Sequence, residues 1–160
     1  MALGLRIGFH VSISGVISNS VDNALKEDCT AFQIFSRNPR GWAAKPLDNE
    51  DVLLFKNKLA GRLDRNDSTK STQAKTYANG SGKKGTNERS KIDRNAIFVH
   101  MPYLPNLSSP NKIIYDQSVQ VLIGELNRCD ALDIPYLVVH LGSHQGEGIK
   151  KGVEQLVYAC

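Results

Sequence analysis

All four histidines of the chain, His10, His100, His140 and His144, stand at or just past the end of a short apolar run. Imidazole nitrogen is a common ligand for zinc and similar first-row ions, and an ion so held polarises a phosphoryl oxygen and makes hydroxide available near neutral pH. Phosphodiester hydrolysis is a frequent use of such sites. Taken singly, a histidine at a strand end is more often a satisfied structural residue than a ligand; agreement between three of the four run ends shifts the balance towards one shared site. Holding several ions together also requires carboxylates, and the run ends supply none apart from the loop residue Glu147. Arg40 and Trp42 follow the second run, and Tyr103 and Leu104 follow the third. Arginine offers a forked donor to phosphate, while exposed aromatic and aliphatic side chains can wedge into a duplex and unstack it. For Trp42, packing in the core weighs as heavily as contact with DNA.

The elements that must position these residues repeat four times. Leu5 to Val11 is apolar and ends at His10, and Ile17, Val21, Ala24 and Leu25 then share one helical face. Ala31 to Phe35 leads into Ser36-Arg37-Asn38-Pro39-Arg40, after which Asp48 caps a helix carrying Val52, Phe55 and Leu59. Ala96 to Val99 ends at His100, and Ser109-Pro110 predicts the next helix start, with a stripe of Tyr115, Val119, Leu122, Leu126 and Cys129. Tyr136 to Val139 ends at His140, and a last helix from about Gly148 carries Val153, Leu156 and Val157.

Near-continuous apolar strands alternating with amphipathic helices predict a parallel sheet covered by helices. No glycine-rich phosphate fingerprint follows the first strand, so a barrel is preferred over a doubly wound sheet. An eight-fold barrel needs about 250 residues. The 160 residues therefore predict a single domain holding about four strand-helix units, a half barrel of the TIM (β/α)8 type, with strand edges and an apolar interior left open.

The formal charge of +4 is not evenly spread: residues 61–91 alone carry +5, leaving the remainder near −1. That segment is rich in Ser, Thr, Asn, Gly and Lys, with Leu63, Ala74, Tyr77 and Ala78 its apolar members, and reads as a solvated, disordered insert. Leu63-Asp64-Arg65-Asn66 is echoed 29 residues later by Ile92-Asp93-Arg94-Asn95, as after an insertion or a local duplication. Basicity confined to one segment is no argument for a DNA-binding fold. Three cysteines without metal-ligand spacing argue against a disulfide framework and for a reducing cytoplasm, and no apolar run reaches membrane-spanning length.

Four motifs in order carry a specific resemblance: Gly8-Phe9-His10-Val11-Ser12 with Gly15; Phe32-Gln33-Ile34-Phe35 leading to Asn38-Pro39-Arg40-Gly41-Trp42; His100-Met101-Pro102-Tyr103-Leu104; and His140-Leu141-Gly142-Ser143-His144. Together they resemble the amino-terminal half of the endonuclease IV family over about residues 5–60 and 92–160. The resemblance implies a TIM barrel with up to three zinc ions. It also implies hydrolysis of the phosphodiester 5′ to an abasic site in double-stranded DNA, leaving a 3′-hydroxyl and a 5′-deoxyribose phosphate, as in base excision repair. His100 and His140 match zinc-ligand positions and are the catalytic pair on this reading. Arg40, Tyr103 and Leu104 match positions that grip or penetrate the duplex, with Trp42 beside them, and His10, His144 and Asn38 match supporting positions.

The implied mechanism is metal-assisted, in-line hydrolysis without a nucleophilic side chain. The family's bridging glutamate and its later Asp, His and Glu ligands fall beyond residue 160, and Val16 replaces a second glycine, which strains the first turn if that position needs positive φ. A complete enzyme is expected to be monomeric, whereas an open half barrel favours self-association. Two other readings remain: an inactive truncated fragment of such an enzyme, and a sugar isomerase or epimerase on the same barrel type. The Arg40/Tyr103 pair speaks against the latter, since a small-sugar site needs no duplex wedge.

Overall fold

The computed structural model describes residues 5–61 and 92–160. The insert expected from composition, including the Leu63–Asn66 half of the echo, lies outside the described residues except for Gly61. Four strand-helix units are present. The first strand is extended chain rather than a full ladder member. Ile7 O accepts from the N–H groups of Thr30 and Ala31, Phe9 O accepts from Gln33 N–H, and Val11 N–H donates to Gln33 O. His10 thereby pairs in parallel with Gln33. The strands β1 (Phe32–Phe35), β2 (Ile97–His100) and β3 (Tyr136–Val138) follow in that order, all parallel, with Phe35 opposite His100 and His100 opposite Val138. The helices are α1 (Asn19–Lys26), α2 (Asn49–Leu59), α3 (Lys112–Leu132) and α4 (Ile149–Ala159).

The first three helices cover one face of the sheet. Alternation along β1 and β2 sends Phe32, Ile34, Ile97 and Val99 to that face, where they pack with Val21 and Ala24 of α1, Phe55 and Leu59 of α2, and Cys129 and Leu132 of α3. The opposite face carries Gln33, Phe35, Phe98, His100, Tyr136 and Val138, all at least partly exposed. A doubly wound sheet would bury both faces; helices on one face alone make this the open half of a barrel. A second apolar cluster, Met101, Leu107, Val121 and Leu122, sits beyond the strand ends and receives Trp42, Leu156 and Ala159. Among the described residues, no helix is long and apolar enough to cross a membrane.

Side-chain carboxylates and amides mark the starts of α1, α2 and α3, and at α3 the cap departs from expectation. Asp48 does cap α2, accepting from the N–H groups of Glu50 and Asp51. The α3 cap is Asn111, which accepts from Ile113 and Ile114; Ser109 Oγ instead accepts from Asn111 N–H, in the loop ahead of the helix. For α1 the cap comes from another element: Asp51 of α2 accepts from Ile17 N–H at 2.6 Å and Ser18 N–H at 3.1 Å, placing a carboxylate against the helix N-terminus. Val16 is not strained, because the positive φ of that turn falls on Gly15 at 89°. Leu25, Leu126, Val153 and Val157, expected on buried faces, are exposed.

Candidate active site

Because all strands run the same way, their carboxyl ends share one rim, and the histidine-bearing ends come together there. The ring centroids of His100 and His140 are 4.9 Å apart and those of His10 and His100 6.3 Å. Phe35 packs beside them, 4.3 Å from His10 and 5.3 Å from His100, and Tyr103 packs 5.9 Å from His100 and 6.0 Å from His140. His100 Nδ1 lies 2.7 Å from Met101 O, so this nitrogen is the donor and Nε2 is not engaged by that contact. His10 Nδ1 is 2.9 Å from the Gln33 amide. Partial burial lowers the His10 pKa, and the neighbouring His100 lowers it further.

The loops that follow the strands are tied to one another. Asn38 Oδ1 accepts from Arg40 N–H, turning the chain so that Arg40 is exposed, and Pro39 O accepts from Tyr103 N–H at 3.0 Å. Tyr103 and Leu104 project with 56% and 40% of their surface exposed. Asn106 Oδ1 accepts from Ser108 and Ser143, and its Nδ2 donates to Ser143 O, lashing the third loop to the fourth. Gly142 makes this possible: its φ is 88°, and a Cβ there would stand 2.1 Å from Asn106 Oδ1.

Two residues grouped with the site by sequence lie apart from the rings. His144 accepts from Gly148 N–H through Nδ1 and packs against Gly152, so it braces the start of α4. Trp42, half-buried, packs on the Met101 cluster. It lines a cleft of about 890 Å³ with Tyr115, Val119 and Gln155 that none of the four histidines reaches. Glu147 pairs with Lys151 on the surface, which lowers its pKa through a hydrogen bond and charge.

Sequence reasoning missed a buried polar network under the second loop. Glu125 of α3, fully buried, accepts from Ser36 Oγ at 2.6 Å and lies 2.8 Å from Arg37 Nε, whose side chain is 8% exposed. Arg128, one turn on, donates through Nε to Ser36 Oγ, through Nη2 to Ser36 O, and through Nη1 to Lys45 O. Arg37 Nη1 reaches Trp42 O at 3.4 Å. The signal was a glutamate three residues after Leu122 and four before Cys129, inside an apolar stripe where a charge must be partnered.

Imidazoles suit zinc, and His100, held by Met101 with Nε2 open, has the orientation of a ligand. His140 stands next to it. The described residues contain no group of three His, Cys, Asp or Glu side chains able to hold a metal ion. They fit the histidine portion of a zinc site, and the carboxylates such a site needs are not among them.

No protein-family model matches the chain. It is 46% identical over 153 residues to the probable endonuclease 4 of Nitrosopumilus maritimus strain SCM1, covering 96% of this chain and 45% of that protein. It is 47% identical over 155 residues to the probable endonuclease 4 of Cenarchaeum symbiosum strain A, again covering 45% of that protein. Among solved structures, endonuclease IV from Thermus thermophilus superposes with a TM-score of 0.67 at 26% identity, over 96% of this chain and 46% of that one. The chain thus spans somewhat less than half the length of these relatives.

Proposed function

We propose that this chain, a relative of endonuclease IV, carries part of the active site of a zinc-dependent endodeoxyribonuclease that acts in the cytoplasm on double-stranded DNA. On this reading the site hydrolyses the phosphodiester 5′ to an abasic nucleotide, leaving a 3′-hydroxyl and a 5′-deoxyribose phosphate, in base excision repair. The observation that carries the proposal is the gathering of His100 and His140, ring to ring, on the rim from which Arg40, Tyr103 and Leu104 project. Zinc, when bound, supplies the Lewis acidity that phosphodiester hydrolysis needs.

The remaining work belongs to the chain's own residues. His100 and His140 would hold the metal, His100 being oriented by its Nδ1 contact with Met101 O. Arg40 takes a DNA phosphate, and its fork suits that partner. Tyr103 and Leu104 form an aromatic-aliphatic wedge whose insertion opens room for the extruded abasic nucleotide, which costs least at a site with no base to unstack. His10 and Asn38 support the rim, through Gln33 and through the Arg40 turn, while His144 braces the fourth loop from the α4 side and Trp42 underpins the DNA-facing loop.

The test is equilibrium binding of zinc and of a fluorescent duplex to the folded chain. Zinc uptake that is lost in His100→Ala and His140→Ala, together with tighter binding of a duplex bearing an abasic analogue than of an intact one, supports the reading. Equal affinity for both duplexes, with zinc uptake indifferent to the two histidines, refutes it.

A further inference from the structure

The polar contacts that fix the second loop from beneath come from two residues of α3 or are relayed by Arg37. Arg128 holds its start at Ser36 and its end at Lys45, while Glu125 holds Ser36 and Arg37, and Arg37 in turn holds Trp42 O. Between those anchors the chain makes the Asn38 turn, presents Arg40, and lends Pro39 O to Tyr103 N–H. The network is buried: Glu125 is inaccessible, and burial depresses the Arg128 pKa, with Glu125 opposing and Arg37 adding to the shift. Arg37 pairs with the Glu125 carboxylate, and Arg128 reaches it through the shared Ser36 hydroxyl, so removing Glu125 leaves the Arg37 charge buried without its partner.

We infer that Glu125 and Arg128 are positioning residues that set the Arg40 loop and, through Pro39, the Tyr103 wedge, so that both are ordered before DNA arrives. This rests on the proposed DNA-binding role of Arg40. Anchors at both ends of the Ser36 to Lys45 loop, from a helix that holds none of the rim residues, with Arg37 tying Trp42 O from within, lower the ordering cost of binding rather than adding a contact to the ligand.

Trp42 is the sole tryptophan of the chain and sits inside the clamped loop, so its fluorescence reports on the loop without any ligand. In Arg128→Lys and in Glu125→Gln, Trp42 emission shifts to the red and acrylamide quenching rises while far-ultraviolet circular dichroism is kept. Arg128→Lys retains a cation beside Glu125 and keeps the measurement interpretable if Glu125→Gln fails to fold.

For DNA, Arg128→Lys weakens binding of an abasic-analogue duplex about tenfold, the equivalent of one lost good interaction. That loss shrinks in an Arg40→Ala background, because its Arg40 share is already gone and only the Tyr103 share is left. Unchanged Trp42 emission and quenching in both variants overturns the inference, as does an Arg128→Lys loss that adds in full to that of Arg40→Ala. If the unaltered chain shows no preference for the abasic duplex, the proposed function falls, while the Trp42 measurement still decides whether the network sets the loop.

Discussion

Replacing Gly142 by alanine strikes the joint between the third and fourth loops, and its cost can be worked from the structure. The residue's φ of 88° lies where side chains are strained, a penalty of about 1 to 3 kcal/mol. The added Cβ would also meet Asn106 Oδ1 at 2.1 Å and the backbone nitrogens of Leu107 and Ser108 at 3.0 Å, so Asn106 must leave. Its three hydrogen bonds, from Ser108 and Ser143 and to Ser143 O, go with it. Water reaches these groups, so each contributes about 0.5 to 1 kcal/mol rather than the full value of a buried bond. Alanine restricts the unfolded chain and offsets about 0.4 to 1 kcal/mol. The net loss is about 3 kcal/mol, a large part of the roughly 5 to 15 kcal/mol that holds a domain together. Urea denaturation followed by circular dichroism measures it. Asn106→Ala added to Gly142→Ala should cost little more, because the three hydrogen bonds it removes are already lost. A loss below about 1 kcal/mol, or a double variant that loses the full sum of the two single losses, would refute the account of this joint.

Gly124→Ala is the converse: the position is within α3, a Cβ there meets nothing within 4 Å, and stability should rise by about 0.5 to 1 kcal/mol in the same denaturation experiment. Arg40→Ala should reduce the salt dependence of abasic-duplex binding by about one phosphate contact, a change of about 0.9 in the slope of log affinity against log salt. An unchanged slope would remove Arg40 from the DNA surface. Of the three thiols, exposed Cys160 should react with a thiol reagent at about pH 8 while buried Cys29 and Cys129 stay silent in the folded chain. Burial, aided by Glu125, pushes the Cys129 thiol up to about 11, so raising the pH to about 9 should still leave it unlabelled; mass spectrometry of the labelled peptides decides.

The sequence carried the strands and the rim well, because a parallel sheet buries its strands in short apolar runs and puts every carboxyl end on one side. His10, His100 and His140 could be assigned to that rim from position alone. Helix α2 was legible through Asp48, a local cap. The start of α1 was not, since its cap, Asp51, is supplied from 33 or more residues away, a link that no local pattern contains. Ser109-Pro110 misled about α3 because the serine hydroxyl serves the loop while Asn111 serves the helix. Periodicity found the apolar face of α4, but Val153 and Val157 on it are exposed: period shows which side is apolar, not whether anything covers it. The least legible feature was the Ser36–Arg37–Glu125–Arg128 network, whose members are 88 to 92 residues apart where they pair across the chain.

The central claim is that the strand-end histidines serve cleavage of DNA 5′ to an abasic site. It is tested most directly with an end-labelled duplex carrying one abasic analogue, incubated with zinc and a chimera in which this chain is continued by the remaining part of its Nitrosopumilus maritimus relative. The account predicts a product cut 5′ to the lesion with a free 3′-hydroxyl, lost on chelation and in His100→Ala or His140→Ala. A folded chimera that leaves the abasic strand intact, or that cuts it equally well without the two histidines, would contradict the account.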